Sequence, residues 1–253
     1  MSNENGVVLV TGAAKRVGAA IARVLHASGW NVVIHYRASG GEARALEKEL
    51  NRARPDSAAC LRANLLDLRA VDKLAAEAHA RWGRLDALVN NASSYYRTPL
   101  AELTEEQYED LTGSNLKAPL FLTRACAKLM KQGAVVNITD IHAAQPMKHY
   151  AVYCAAKAAL VSLTESLARE LAPNIRVNAV APGHVLWADH NTMTAAQRDA
   201  EIARVPAGRL ARPEEVGMAC AFLLSEGAAY ITGATLPVDG GWLALGAPES
   251  VLA

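Results

Sequence analysis

The sequence predicts an α/β fold: a single domain on a doubly wound, seven-stranded parallel sheet, over 253 residues. Three features predict it. Short apolar runs alternate with helical patterns along the whole chain. The runs are continuous and β-branched, as strands covered on both faces are. Polar turns bearing Gly or Asn follow their carboxyl ends, where such sheets bind ligands. No linker, repeat or low-complexity segment divides the chain, and 51% hydrophobic residues suffice for a sizeable core.

The first strand is Gly6–Thr11 (GVVLVT), leading into Gly12-Ala13-Ala14-Lys15-Arg16-Val17-Gly18 and a helix over Ala19–Ser28 that stops at Gly29. Strand, glycine turn and helix start form a phosphate-binding arrangement, because backbone N–H groups and the positive helix end meet an anion there. Arg16 stands where the usual fingerprint has its middle glycine, so a plain connection remains the lesser, alternative reading of the turn by itself. The second strand is Trp30–His35, followed by Tyr36-Arg37-Ala38-Ser39. Folds that read NAD tend to place an acid near here for the ribose 2′-OH. None is present. Arg37 and Ser39 suit a 2′-phosphate instead, helped by Lys15 or Arg16, so the expected cofactor is NADPH.

Glu42–Arg52 is a charged amphipathic helix, Ser57–Arg62 the third strand, then Asn64-Leu65 and a helix over Leu68–Trp82 stopped by Gly83. Leu85–Val89, the fourth strand, runs into Asn90-Asn91-Ala92-Ser93-Ser94-Tyr95-Tyr96. Leu103–Leu129 is helical, with Thr104 as N-cap and interruptions at Gly113 and Asn115. An Asn inside a helix is unfavourable by propensity; it is either tolerated there or holds a backbone or water contact. Ala134–Thr139 is the fifth strand, delivering Asp140. Asn174–Val180 is the sixth, followed by Pro182-Gly183. The polar segment His184–Gly208 sits at the ligand edge, as a lid would. Pro213 opens a helix through Ser225, Ala234–Val238 is the seventh strand, and Gly246–Ala253 reads as a tail.

A formal net charge of +1, with Lys and Arg scattered, gives no bulk attraction to nucleic acid or an anionic membrane. No apolar run reaches the ~20 residues of a membrane helix without polar interruption. The start, Met1–Gly6, is polar, without a secretory signal's apolar region. Cys60, Cys126, Cys154 and Cys220 are far apart, so neither a metal site nor a disulfide framework is expected, and a reducing cytoplasm is.

The chemistry centres on Tyr153-Cys154-Ala155-Ala156-Lys157, near the start of the helical run Ala151–Leu171. Tyr153 and Lys157 are spaced i, i+4, so both lie on one helix face. An ammonium near a phenol favours the ionised form of a group that ordinarily titrates near ~10, making it a usable proton donor. Alone, the pair reads more readily as a core Tyr and a surface Lys. The rest of the chain decides.

From Val7 to about Trp242 the chain resembles the short-chain dehydrogenase/reductase family. The matching motifs are Thr11-Gly12 to Gly18, Asn90-Asn91-Ala92, Asn115, Tyr153 with Lys157, and Pro182-Gly183. Three departures place it nearer one branch. Arg16 replaces the middle glycine, Ser93 stands where Gly is usual, and Asp140 takes the place of the catalytic serine. The pteridine reductase branch shares all three, with TGAAKRVG, IHYRAS and NNASSYYRTPL around them. A fourth departure, Asn64 for the frequent Asp, points nowhere, though its oxygen can still accept from adenine.

The resemblance implies a Rossmann-like domain binding NADPH through Gly12, Lys15, Arg16, Val17, Gly18, Tyr36, Arg37, Ser39, Asn64, Leu65, Asn91, Ala92, Ser93, Asn115, Tyr153, Lys157, Pro182 and Gly183. It implies a pterin held by Arg16, Ser93, Tyr95, Asp140, Tyr153, Leu186 and Trp187, with Tyr95 stacked on the ring. Lys157 would bind the nicotinamide ribose and lower the Tyr153 pKa. A homotetramer with the Tyr–Lys helix at an interface is implied too. Catalysis falls to Asp140, Tyr153 and Lys157. Reducing a pterin C=N bond needs a hydride to carbon and a proton to nitrogen. A carboxyl suits that ring: ionised it accepts from ring donors, protonated it donates to nitrogen. The alternatives are a reductase of a ketone or 3-oxoacyl substrate and a non-catalytic NADPH-binding module.

Overall fold

The computed structural model describes residues 6–187 and 193–244. The first five residues, part of the expected lid (188–192) and the expected tail (246–253) lie outside the described residues. Seven strands form one sheet in the order β3-β2-β1-β4-β5-β6-β7. They are β1 Val7–Val10, β2 Asn31–Tyr36, β3 Ala58–Arg62, β4 Ala87–Asn90, β5 Gly133–Ile138, β6 Ile175–Pro182 and β7 Thr235–Val238. Every neighbouring pair is parallel, for example Leu9 opposite Val33 on one side and Leu88 on the other.

Strand side chains alternate between two cores. Val8 and Val10 enter the one capped by α1 (Arg16–Ala27), α2 (Gly40–Ala53) and α8 (Pro213–Leu224). Val7 and Leu9 enter the other, capped by α3 (Leu68–Trp82), α5 (Ala118–Ala127) and part of α6 (Ala151–Leu171). All four are fully buried, which is why the run carries no polar alternation. Each such side chain contributes ~1.5–3 kcal/mol of burial.

Some boundaries differ from expectation. The first helix begins at Arg16, not Ala19, because Lys15 occupies its N-cap without a side-chain bond that would mark the start. Arg16 itself has φ +56°. The long helix expected over Leu103–Leu129 is α4 (Glu105–Thr112), a π-helical turn (Gly113–Lys117) and then α5. The Ser114 hydroxyl donates to the Asp110 carbonyl at 2.7 Å and the Asn115 amide to Leu111 at 3.0 Å, so side chains compete for the ladder where it widens. Thr104 caps α4 as expected, in a reciprocal pair with Gln107. A helix absent from the sequence reading, α7 (Ala195–Ala203), lies inside the expected lid; it buries no residue, so no apolar stripe announced it.

By length and composition α6 is apolar enough to cross a membrane, yet half of that window is buried in this fold. Its outward face is small or charged, with Ala155, Ala158, Ser162, Glu165 and Arg169 exposed.

Beneath the site runs a buried polar chain. The Asn90 amide donates to the Asn137 carbonyl oxygen at 2.8 Å, and the Asn137 amide donates to the Thr164 hydroxyl at 2.9 Å. It ties β4 to β5 and β5 to α6. Asn137→Ala strands one N–H of the Asn90 amide in a dry interior, the other being held by Thr123, so we expect a loss of about 1–3 kcal/mol. A lower urea midpoint at unchanged slope checks this.

Candidate active site

The site is assembled where the strands end. At the β1–β4 junction the Thr11 hydroxyl accepts from the backbone N–H of Asn91 (2.9 Å) and of Ala92 (3.0 Å). The Asn91 amide donates back to the carbonyls of Thr11 (2.8 Å) and Gly12 (3.3 Å). Gly12 has φ +61°, a conformation glycine adopts without strain. A Cβ on Gly18 would lie 2.2 Å from the Gly12 carbonyl oxygen, so helix and turn meet with no room for a side chain. From the next strand, buried His35 takes two successive turn amides: Nδ1 accepts from Gly12 N–H at 3.1 Å and its carbonyl accepts from Ala13 N–H at 2.9 Å. Its Nε2 faces the Ala63 carbonyl at 3.2 Å. Burial pushes the imidazole down to about 4.

These strand ends enclose a cavity of about 460 Å³. Its walls include Gly12, Lys15, Arg16, Val17 and Gly18 from the first turn, and Tyr36, Arg37 and Ser39 from the second. Asn64 and Leu65 close it after β3, and Asn91, Ala92 and Ser93 after β4. Among the described residues it has three cationic side chains in its lining and no carboxylate. That lining suits a dinucleotide with an added phosphate. His35, Ser94 and Ser114 also line it and were not anticipated; only the β-strand position of His35, a polar residue ending an apolar run, hinted at a role. Arg62 is another omission. Its Nε donates to the Arg37 carbonyl at 3.1 Å, steadying the second turn from β3.

Asn115, Tyr153, Lys157, Pro182 and Gly183 are not part of that cavity wall. Asn115 instead serves the loop after β4: its oxygen accepts from the Ser93 hydroxyl at 2.7 Å and its amide donates to the Ser94 carbonyl at 2.9 Å. Gly183 pairs with Val238 at the end of β6, where a Cβ would approach Asp239 to 2.8 Å.

Beside the cavity, Asp140, Tyr153 and Lys157 converge. The Tyr153 hydroxyl donates to Asp140 Oδ2 at 2.6 Å, and Asp140 Oδ1 accepts from His142 N–H at 2.8 Å. The Lys157 ammonium donates to the Ile138 carbonyl at 2.7 Å and lies 5.7 Å from the Tyr153 ring centre. Both side chains are buried. Burial pushes Lys157 down to about 8, against the pull of Asp140. Tyr153 corrects the sequence expectation. Its pKa is raised well above 10, first by burial and then by the charge and hydrogen bond of Asp140. Sequence spacing showed the ammonium but not the carboxylate facing the same hydroxyl.

Tyr95 is partly exposed. Its ring stacks on Tyr150 at 5.0 Å and 18°, and stands edge-on to Tyr153 at 4.9 Å and 75°. Arg16 reaches across to the lid, donating to the Trp187 carbonyl at 2.9 Å. Behind Trp187, the His184 ring lies 4.8 Å from Trp242, and its Nε2 stands 3.9 Å from Glu201 of α7. Leu186 is exposed. Arg16, Ser93, Tyr95, Asp140, Tyr153 and Trp187 thus fall along one side of the strand ends.

Residues 12–243 match the family described as enoyl-(acyl carrier protein) reductase. The chain is 38% identical to Pteridine reductase 1 of Leishmania tarentolae, over 93% of this chain and 96% of that protein. It is 36% identical to the uncharacterized oxidoreductase YmfI of Bacillus subtilis, over 94% and 99%. With the 3-oxoacyl-(acyl-carrier-protein) reductase FabG of Staphylococcus aureus it shares 34%, over 92% and 96%.

The His35 shift has a measurable sign. Unfolded histidine takes a proton below about 6.5, whereas the native ring resists until about 4. Stability is therefore whole above about 6.5 and falls as the pH drops toward 4, by about 3 kcal/mol from this group. Urea midpoints measured from pH 7 to pH 4.5 should show His35→Phe falling less steeply than the unaltered protein.

Proposed function

The chain belongs to the short-chain dehydrogenase/reductase family, and on that footing we propose that it is an NADPH-dependent pteridine reductase. It is an oxidoreductase of that family; the substrate and the choice of NADPH are the proposal. One observation carries it: a carboxylate, Asp140, is hydrogen-bonded to the catalytic tyrosine at 2.6 Å where a hydroxyl donor would serve a ketone.

The cavity suits NADPH. The glycine turn allows close backbone approach, Arg37 and Ser39 flank the region of the adenosine 2′-phosphate, and no acid competes for the cations. Bound there, NADPH supplies the hydride. The protein's own residues handle the proton. Tyr153 and Asp140 share one on the short hydrogen bond and present it to a ring nitrogen. Lys157, held on the Ile138 carbonyl, offsets the negative charge left behind. Asp140 also accepts from the amino and N–H donors of a pterin. Tyr95, braced by Tyr150, offers an aromatic face for that flat ring. Arg16 joins the phosphate turn to Trp187, at the start of the polar segment after β6. The same reading takes the enzyme to be a cytoplasmic homotetramer acting on a small molecule.

The FabG likeness supports a second reading, reduction of a 3-oxoacyl thioester. Initial rates separate the two. We expect dihydrobiopterin, dihydromonapterin or dihydrofolate to be turned over with NADPH in preference to NADH, and an acetoacetyl thioester to be reduced slowly. Brisk thioester reduction without pterin turnover rejects the first reading. Asp140→Asn and Asp140→Ser keep a polar group but lose the carboxylate. Both should lower kcat/KM for the pterin by about 100-fold, the scale of a positioned proton donor; unchanged values in both would remove Asp140 from the mechanism.

A further inference from the structure

We propose that His35 is a positioning residue for the dinucleotide: its imidazole holds the first turn and the loop after β3 at the spacing that admits the diphosphate and the adenine. The inference rests on the reading of the cavity as the NADPH site.

The geometry fixes the protonation pattern. Gly12 N–H can only donate, so His35 Nδ1 is a bare acceptor. The Ala63 carbonyl can only accept, so Nε2 carries the hydrogen. One neutral tautomer satisfies both, and an imidazolium satisfies only one. The ring thereby bridges the ends of β1 and β3 from the strand between them, 2% exposed and without room to turn. Its own carbonyl holds the next amide, Ala13 N–H, at 2.9 Å.

The consequence is specific to ligand geometry. Two successive peptide units are each held at both ends by Asn91 and His35. In Thr11–Gly12, Asn91 donates to the carbonyl at 2.8 Å and His35 Nδ1 takes the N–H. In Gly12–Ala13, Asn91 donates to the carbonyl at 3.3 Å and the His35 carbonyl takes the N–H. A clamped peptide cannot rotate, so the following amides of the turn keep one direction. Gly18 packs on the Gly12 carbonyl, which sets the distance from turn to helix. On the far side, Ala63 leads directly to Asn64 and Leu65, which wall the same cavity. The spacing between the two ligand-bearing loops is therefore the width of one imidazole.

Two substitutions divide the role. In His35→Phe the ring remains but neither hydrogen bond can form. In His35→Asn the side-chain oxygen occupies nearly the position of Nδ1 and can accept from Gly12, while the bridge to Ala63 is lost. NADPH binding is read by titration of nucleotide fluorescence, and turnover with the protein's best substrate. We expect His35→Phe to raise the NADPH Kd and KM about tenfold, with kcat at saturating NADPH within about twofold of the unaltered protein. His35→Asn should recover part of that loss. An unchanged Kd and KM in folded His35→Phe, or a fall in kcat alone, overturns the proposal. Equal loss in both variants overturns it as well, since the Gly12 acceptor would then not matter. Should His35→Phe fail to fold, an unchanged NADPH Kd in both His35→Asn, which can keep only the Gly12 bond, and His35→Gln, which can keep only the Ala63 bridge, is the overturning result. If the unaltered protein binds neither NADPH nor NADH, it is the cavity assignment that fails, and the variants are not needed to see it.

Discussion

Two side chains, the Thr11 hydroxyl and the Asn91 amide, set the frame on which the site is built. Parallel strands leave their terminal amides and carbonyls unpaired at the sheet edge. Here the hydroxyl and the carboxamide satisfy them across the gap between β1 and β4. The satisfied edge fixes the glycine turn on one side and the Ser93–Tyr95 loop on the other. The cavity and the proton-transfer group lie on those two sides. Weakening this junction would loosen both at once.

The chemistry depends on a second constraint, the dryness around Tyr153 and Lys157. A low-dielectric surrounding makes each charge costly and each partner important. It pushes the lysine down and the tyrosine up, so neither behaves as it would in water. Asp140 opposes the first shift and adds to the second. The three groups therefore form one electrostatic unit. A Ser at 140 would leave the tyrosine hydroxyl facing a weaker acceptor, and a different chemistry would follow.

Much of this was legible in the chain itself, for physical reasons. The strand positions follow from continuous apolar runs, since a two-faced burial leaves no other pattern for Val7 to Val10. The turn after β1 and the i, i+4 pair on α6 are local, so spacing alone located them. What escaped notice was either non-local or without an apolar stripe. The imidazole of His35 matters because of atoms 23 and 28 residues away in sequence. Burial first, and then Asp140 brought in as a loop folds back on a helix, reversed the expected shift of Tyr153. The π-helical turn and α7 lack an apolar stripe of their own, so periodicity could not reveal them.

The contact between positions 12 and 18 carries a lesson for redesign. No side chain of any kind fits at position 18, and position 12 adds a backbone angle that only glycine tolerates comfortably. Laboratory libraries aimed at a different coenzyme gain nothing by sampling those two sites. Productive diversity lies at 37 and 39, whose side chains open on the hollow without supporting the turn.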